Sequence, residues 1–145
     1  MKTRKLILAA IFALMMSTVC CADDRPIPTD KLPDAAKTFV KQIFPEAIIS
    51  FAKIESDFPK EYEALLNNGV KVEFDSKGVW KSVDCNQGIV PASVIPAAIA
   101  DYVKTAFPGV AISKIAKKRY GYEIELQNDI ELRFNNAGGF IGYDD

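Results

Sequence analysis

The sequence predicts an α+β domain made of two tandem copies of one unit, a helix followed by an antiparallel β-meander. The copies join in one continuous antiparallel sheet of about six to eight strands with both helices on one face. Three observations predict it. Leu32-Pro33, Phe39-Val40-Lys41 and Phe44-Pro45 recur 63 residues later as Ile95-Pro96, Tyr102-Val103-Lys104 and Phe107-Pro108. Phe74-Asp75-Ser76-Lys77-Gly78-Val79-Trp80 recurs 60 residues later as Phe134-Asn135-Asn136-Ala137-Gly138-Gly139-Phe140. Within each copy the apolar period changes from that of a helix to that of a strand. The copies run over about residues 27–84 and 90–144, and the shift in register places a three-residue deletion between the strands of the second, opposite the loop Glu55 to Lys60.

Each copy opens with a helix. Asp30 and Ser93 occupy matching places, are both good N-cap residues, and are followed by Pro33 and Pro96 in the expected first turn. Leu32, Ala36, Phe39, Val40, Ile43 and Phe44 form one helical stripe, repeated by Ile95, Ile99, Tyr102, Val103, Ala106 and Phe107. Pro45 and Pro108 end the helices. First strands are expected at 47–54 and 110–116, weakly patterned. Second strands at 61–66 and 121–126 place Tyr62, Ala64, Leu66 and Tyr122, Ile124, Leu126 on one face. Asn67-Asn68-Gly69 and Gln127-Asn128-Asp129 are turns, and third strands carry Val70, Val72, Phe74 and Ile130, Leu132, Phe134 inward. Fourth strands follow Gly78 and Gly138. Strict alternation sets Trp80 opposite Val79 and Val83, and Phe140 opposite Ile141 and Tyr143, so Trp80 is either a core aromatic or an exposed anchor.

These motifs resemble the PepSY-like, β-lactamase-inhibitor-like periplasmic proteins of Gram-negative bacteria, over essentially the whole chain after its first two dozen residues. The resemblance implies a duplicated curved sheet that binds another protein, or a link to peptidase inhibition. The matched positions are caps, core and turns, so no binding residue carries over. The chain differs from the secreted β-lactamase inhibitors in lacking a disulfide in each repeat.

Residues 1–22 have the parts of a secretory signal: basic Lys2, Arg4 and Lys5, an apolar run from Leu6 to Met16, and a small-residue exit. Cleavage there gives an exported, periplasmic chain with no transmembrane segment; the alternative is an outer-membrane lipoprotein acylated at Cys20 or Cys21. Cleavage leaves 15 basic and 19 acidic residues, a net charge of −4, and only Cys85, read as buried and inert. The one basic cluster, Lys114 with Lys117-Lys118-Arg119, is too short to suggest nucleic acid and reads as a solvated strand end.

The chain contains no histidine. Triads, HExxH zinc sites and imidazole bases are thereby excluded, and neither a nucleophile elbow nor a phosphate loop is present. No catalytic residue, cofactor or metal site is assigned, and paired-carboxylate chemistry is the one enzymatic route left formally open. Asp75 and Asn135-Asn136 read as turn residues before they read as calcium ligands, and the Asp144-Asp145 pair is an equally weak metal candidate. The expected function is therefore non-enzymatic binding of an unknown envelope protein or peptide. The candidate face is Glu61, Glu63, Lys71, Glu73, Trp80, Glu123, Glu125, Glu131 and Arg133. The alternative is small-ligand or metal-ion sensing in a cleft between the repeats, near Tyr62 and Tyr122.

Overall fold

A computed structural model describes residues 24–55 and 58–144. The expected signal segment, with Cys20 and Cys21, lies outside the described residues, as do parts of the Glu55 to Lys60 loop and Asp145. The described residues form one antiparallel sheet of nine strands in sequential order, with two helices. The strands are β1 (Arg25–Ile27), β2 (Ile49–Glu55), β3 (Glu61–Leu66), β4 (Lys71–Phe74), β5 (Trp80–Asp84), β6 (Ile112–Lys118), β7 (Gly121–Leu126), β8 (Glu131–Asn135) and β9 (Phe140–Tyr143). Helix α1 (Asp34–Ile43) precedes β2 and α2 (Ala97–Ala106) precedes β6. The expectation of six to eight strands is thus one short. The additional strand is β1, which has only three residues and no alternating run to announce it; its pairing with Ile54, Lys53 and Ala52 defines it.

The expected caps also need correction. Asp30 and Ser93 lie in short 3-10 turns, Thr29–Lys31 and Ala92–Val94, and neither caps a helix. Pro33 and Pro96 are the N-cap residues, held extended at φ −52°, ψ 142° and φ −55°, ψ 137°. Proline has no N–H to leave unsatisfied there, and its carbonyl accepts the first helical bonds, from Ala36 and Lys37 in α1 and from Ile99 and Ala100 in α2. Phe44 and Phe107 close the helices at φ −126°, ψ 63° and φ −132°, ψ 65°, outside the α region that a following proline disfavours.

Directly opposed residues of antiparallel strands share a face. Ile27, Ala52, Ala64, Val72, Val83, Ile115, Ile124, Leu132 and Tyr143 therefore form one line across all nine strands on the helix side. Its six members from Ala64 to Leu132 lose essentially all solvent contact, beneath Ala36 and Val40 of α1 and Ile99 and Val103 of α2, in one continuous core. Each fully buried Val, Leu, Ile or Phe contributes about 1.5–3 kcal/mol.

Strict alternation fails in four of the strand pairs because each carries a β-bulge. Ser50 is the extra residue between β2 and β3, and Ser113 between β6 and β7. Each serine hydroxyl donates to a carbonyl of the facing strand, Ser50 to Leu65 at 3.0 Å and Ser113 to Glu125 at 3.1 Å. Lys81 and Ile141 are the extra residues of β5 and β9, so Trp80 and Val83 face the helices together, as do Phe140 and Tyr143. The expected opposition within the fourth strands does not occur.

Candidate functional site

The bulge in β5 decides the place of Trp80. Its ring stacks on Phe39 of α1 at 6.1 Å, and Phe39 meets Phe74 edge-on at 5.9 Å. The second half repeats the arrangement, with Tyr102 stacked on Phe140 at 4.7 Å and edge-on to Phe134 at 5.3 Å. Trp80 is half-buried on the helix side, and the Lys117 ammonium sits 3.8 Å from its ring centroid. That contact gives Lys117 a packing role instead of the solvated strand end expected, and burial lowers its pKa against the opposing pull of Asp75. Tyr62 and Tyr122 lie on the same covered side, opposite Phe74 and Phe134.

The other eight candidate residues, Glu61, Glu63, Lys71, Glu73, Glu123, Glu125, Glu131 and Arg133, come together on the uncovered face. One line there runs Lys53, Glu63, Glu73, Ser82, Ala116, Glu123, Arg133; the next runs Leu65, Lys71, Asp84, Lys114, Glu125, Glu131. Lys53, Ser82, Asp84, Lys114 and Ala116 were not foreseen. They lie on β2, β5 and β6, where the bulges interrupt the alternation that would have revealed them.

Charges on this face are balanced unequally. In the first half, Lys53 reaches Asp24 at 2.8 Å and both Glu55 and Glu63 at 3.4 Å. Its pKa is raised, first by the hydrogen bond to Asp24 and further by the charge of Glu63. Glu63 stands directly opposite Glu73, a like-charge pair relieved by Lys53 on one side and by the Ser82 hydroxyl, which donates to Glu73 at 2.8 Å, on the other. Lys81, the bulge residue, pairs with Glu61.

In the second half, Glu125 stands directly opposite Glu131, and neither makes an ion pair among the described residues. Arg133 is spent on Asp144, while Glu123 takes Lys118 at 3.4 Å and the Tyr120 hydroxyl at 3.1 Å. Carboxylate oxygens of Glu123, Glu131 and Asp144 lie within 4.8 Å of one another. The turn residues considered for calcium are engaged elsewhere: Asp75 accepts from the backbone of Lys77 and Val79, and Asn135 from Ala137 and Gly139.

Cys85 is buried in the core, and burial, aided by Asp84, pushes its thiol up to about 11. A thiol held neutral in this way is a poor nucleophile. Among the described residues, no helix is long and apolar enough to cross a membrane.

Residues 60–142 match the family described as "Putative beta-lactamase-inhibitor-like, PepSY-like". A solved structure from Bacteroides thetaiotaomicron, described as a "putative calcium-regulated periplasmic protein", is 44% identical over 85% of this chain and 98% of its own, with a TM-score of 0.80. A "putative periplasmic protein from DUF2874 family" from Bacteroides vulgatus is 39% identical over 86% and 99%, with a TM-score of 0.80. A "putative periplasmic protein of unknown function" from the same species is 36% identical over 84% and 99%, with a TM-score of 0.81. A search of the curated proteins returns no match. With a family match over more than half its length and solved relatives above a third identical along nearly all of theirs, the chain belongs to the β-lactamase-inhibitor-like, PepSY-like family of periplasmic proteins.

Proposed function

We propose that the chain is a non-enzymatic periplasmic binding module whose uncovered sheet face receives a basic segment of a protein or peptide. It is read as a tandem duplication, about residues 27–84 and 90–144, exported by a signal at residues 1–22 that is cleaved or replaced by a lipid anchor at Cys20 or Cys21. The observation that carries the binding reading is the pair Glu125 and Glu131, which makes no ion pair among the described residues although Lys114 stands across from Glu125. Two like charges placed directly across a strand pair destabilise a sheet; the like-charge pair of the first half, Glu63 and Glu73, is relieved by Lys53, and the place matching Glu125 and Glu131 holds Leu65 and Lys71 there. A lysine or arginine from a partner supplies what the second half lacks, and the surrounding charges favour fast, oriented encounter.

The test is crosslinking with mass spectrometry in the native envelope, using a photoreactive residue in place of Gln127, beside β7. Discrete adducts that disappear in Glu125→Lys/Glu131→Lys support the reading. Adducts unchanged by that double reversal, or no adducts, sink it.

A second reading has its own observation. The carboxylates of Glu123, Glu131 and Asp144 are hard oxygen donors at a spacing suited to one divalent cation, and a relative is described as calcium-regulated. Arg133 already neutralises Asp144 and competes with a cation there, so binding belongs to the weak, millimolar class. Calorimetric titration with calcium decides it: heat lost in Glu131→Gln supports the site, and an unchanged isotherm removes it.

A further inference from the structure

Each helix forms a cleft with the loop that follows it and the 3-10 turn that precedes it, and the two clefts are equal in volume, about 380 Å³ each. The residues around them occupy matching places in the two halves. Thr29, Lys37, Val40, Lys41, Ala47 and Ile49 around the first correspond to Ala92, Ala100, Val103, Lys104, Val110 and Ile112 around the second. Shape is kept and chemistry is not.

Lys37 lies across the first cleft, donating to the Asp30 carbonyl at 3.1 Å and pairing with Asp34 at 2.9 Å, and Asp30 adds a carboxylate to the lining. In the second cleft Ala100 replaces that lysine, and Ile89, Ile95, Phe107 and Val110 complete an apolar wall. Lys104 is the one charged residue that lines it, and it makes no ion pair among the described residues. Ile89 stands 65% exposed at the mouth.

We propose that the α2 cleft binds a small amphiphile with a single anionic head, its alkyl chain on the apolar wall and its carboxylate on Lys104. The volume is that of a small ligand pocket, about 300–1,000 Å³ being usual. A cation beside an otherwise apolar surface selects an apolar ligand that carries one negative charge. The carboxyl end of α2 repels an anion, so the preference for a carboxylate depends on Lys104. The α1 cleft, bridged by Lys37 and lined by Asp30, rejects the same ligand. This site is on the opposite side of the sheet from the face proposed for protein binding, and neither proposal depends on the other.

The test is titration of the protein purified from the periplasm with laurate, dodecanol and dodecylamine, followed by calorimetry and by methyl and ring resonances. Laurate is expected to bind saturably, to shift Ile95, Val103 and Phe107, and to weaken two- to fourfold for each methylene removed. Lys104→Met is exposed and keeps the fold; it should weaken laurate at least tenfold and leave dodecanol within twofold. Ala100→Lys, which installs the residue of the first cleft, should abolish both, whereas Lys41→Met should change neither. Absence of saturable laurate binding overturns the proposal. So does dodecylamine binding as tightly as laurate, laurate unaffected by Lys104→Met, or shifts confined to residues of the α1 cleft.

Discussion

The two halves of the molecule agree inside and differ outside. Both have a ten-residue helix capped by proline, a serine at the first bulge, one extra residue in the last strand, and a stacked aromatic pair above a buried phenylalanine. They differ in the β2–β3 and β6–β7 connections, in the balance of charge on the open face, and in the polarity of the helix clefts. Packing tolerates little change because the interior is close-packed, whereas a solvated surface is free to diverge. Agreement between the halves therefore marks what holds the fold, and disagreement marks where binding has room to differ.

The largest effect should come from the buried ring each half shares. Phe74→Ala and Phe134→Ala each remove a fully buried side chain and should each cost about 3–5 kcal/mol in urea unfolding. Because β5 pairs with β6 and one core spans both halves, each variant should still unfold in a single transition. Two separated transitions would break the comparison by showing that the halves fold independently.

Gly121 sharpens it, since only the second half has a two-residue connection there. Its φ is +147°, and an added Cβ would lie 2.1 Å from the Phe134 carbonyl oxygen. Gly121→Ala should cost about 3 kcal/mol, combining backbone strain with the clash. The matching position of the first half, Glu61, follows the longer loop, and Glu61→Ala should cost well under about 1 kcal/mol.

Lys53 probes the internal balance of the first half. Lys53→Met should lower stability by about 0.5–1 kcal/mol at low salt and less at high salt. Its raised pKa means that the network contributes fully below the ordinary lysine value of 10.5 and is lost as the pH climbs past it. A loss that is independent of salt would remove the electrostatic account.

The smallest effect concerns Cys85, which has no described counterpart in the second half. Its thiol should be silent to a disulfide reagent at pH 8 in the folded protein and react at once in denaturant. The unfolded thiol ionises near 9.0, so burial contributes stability below that pH and loses it as the pH rises towards about 11. Rapid native labelling would place Cys85 outside the core.

The helices, the second and third strands and their turns were legible in the sequence. Val72, Phe74, Leu132 and Phe134 alternate without interruption, and the helix stripes recur at the same spacing. The same alternation brought eight of the nine candidate residues together on the uncovered face. Trp80, left open between core and surface, turns to the helix side because Lys81 bulges out beside it. Lys53, Ser82 and Lys114 were missed because a bulge interrupts their strand. The helix clefts left no signal at all, since each is assembled from a turn, a helix and a loop with no shared period.

The sequence by itself determined the two helices, the second and third strands of each half and their turns, because those choices rest on short-range backbone sterics and on periods of 3.6 and 2. The tertiary structure alone decided the nine-strand order, the side to which Trp80 turns and the carboxylates left unbalanced on the open face. Those depend on register between strands far apart in the chain, and one bulged residue is enough to exchange the faces of everything beyond it.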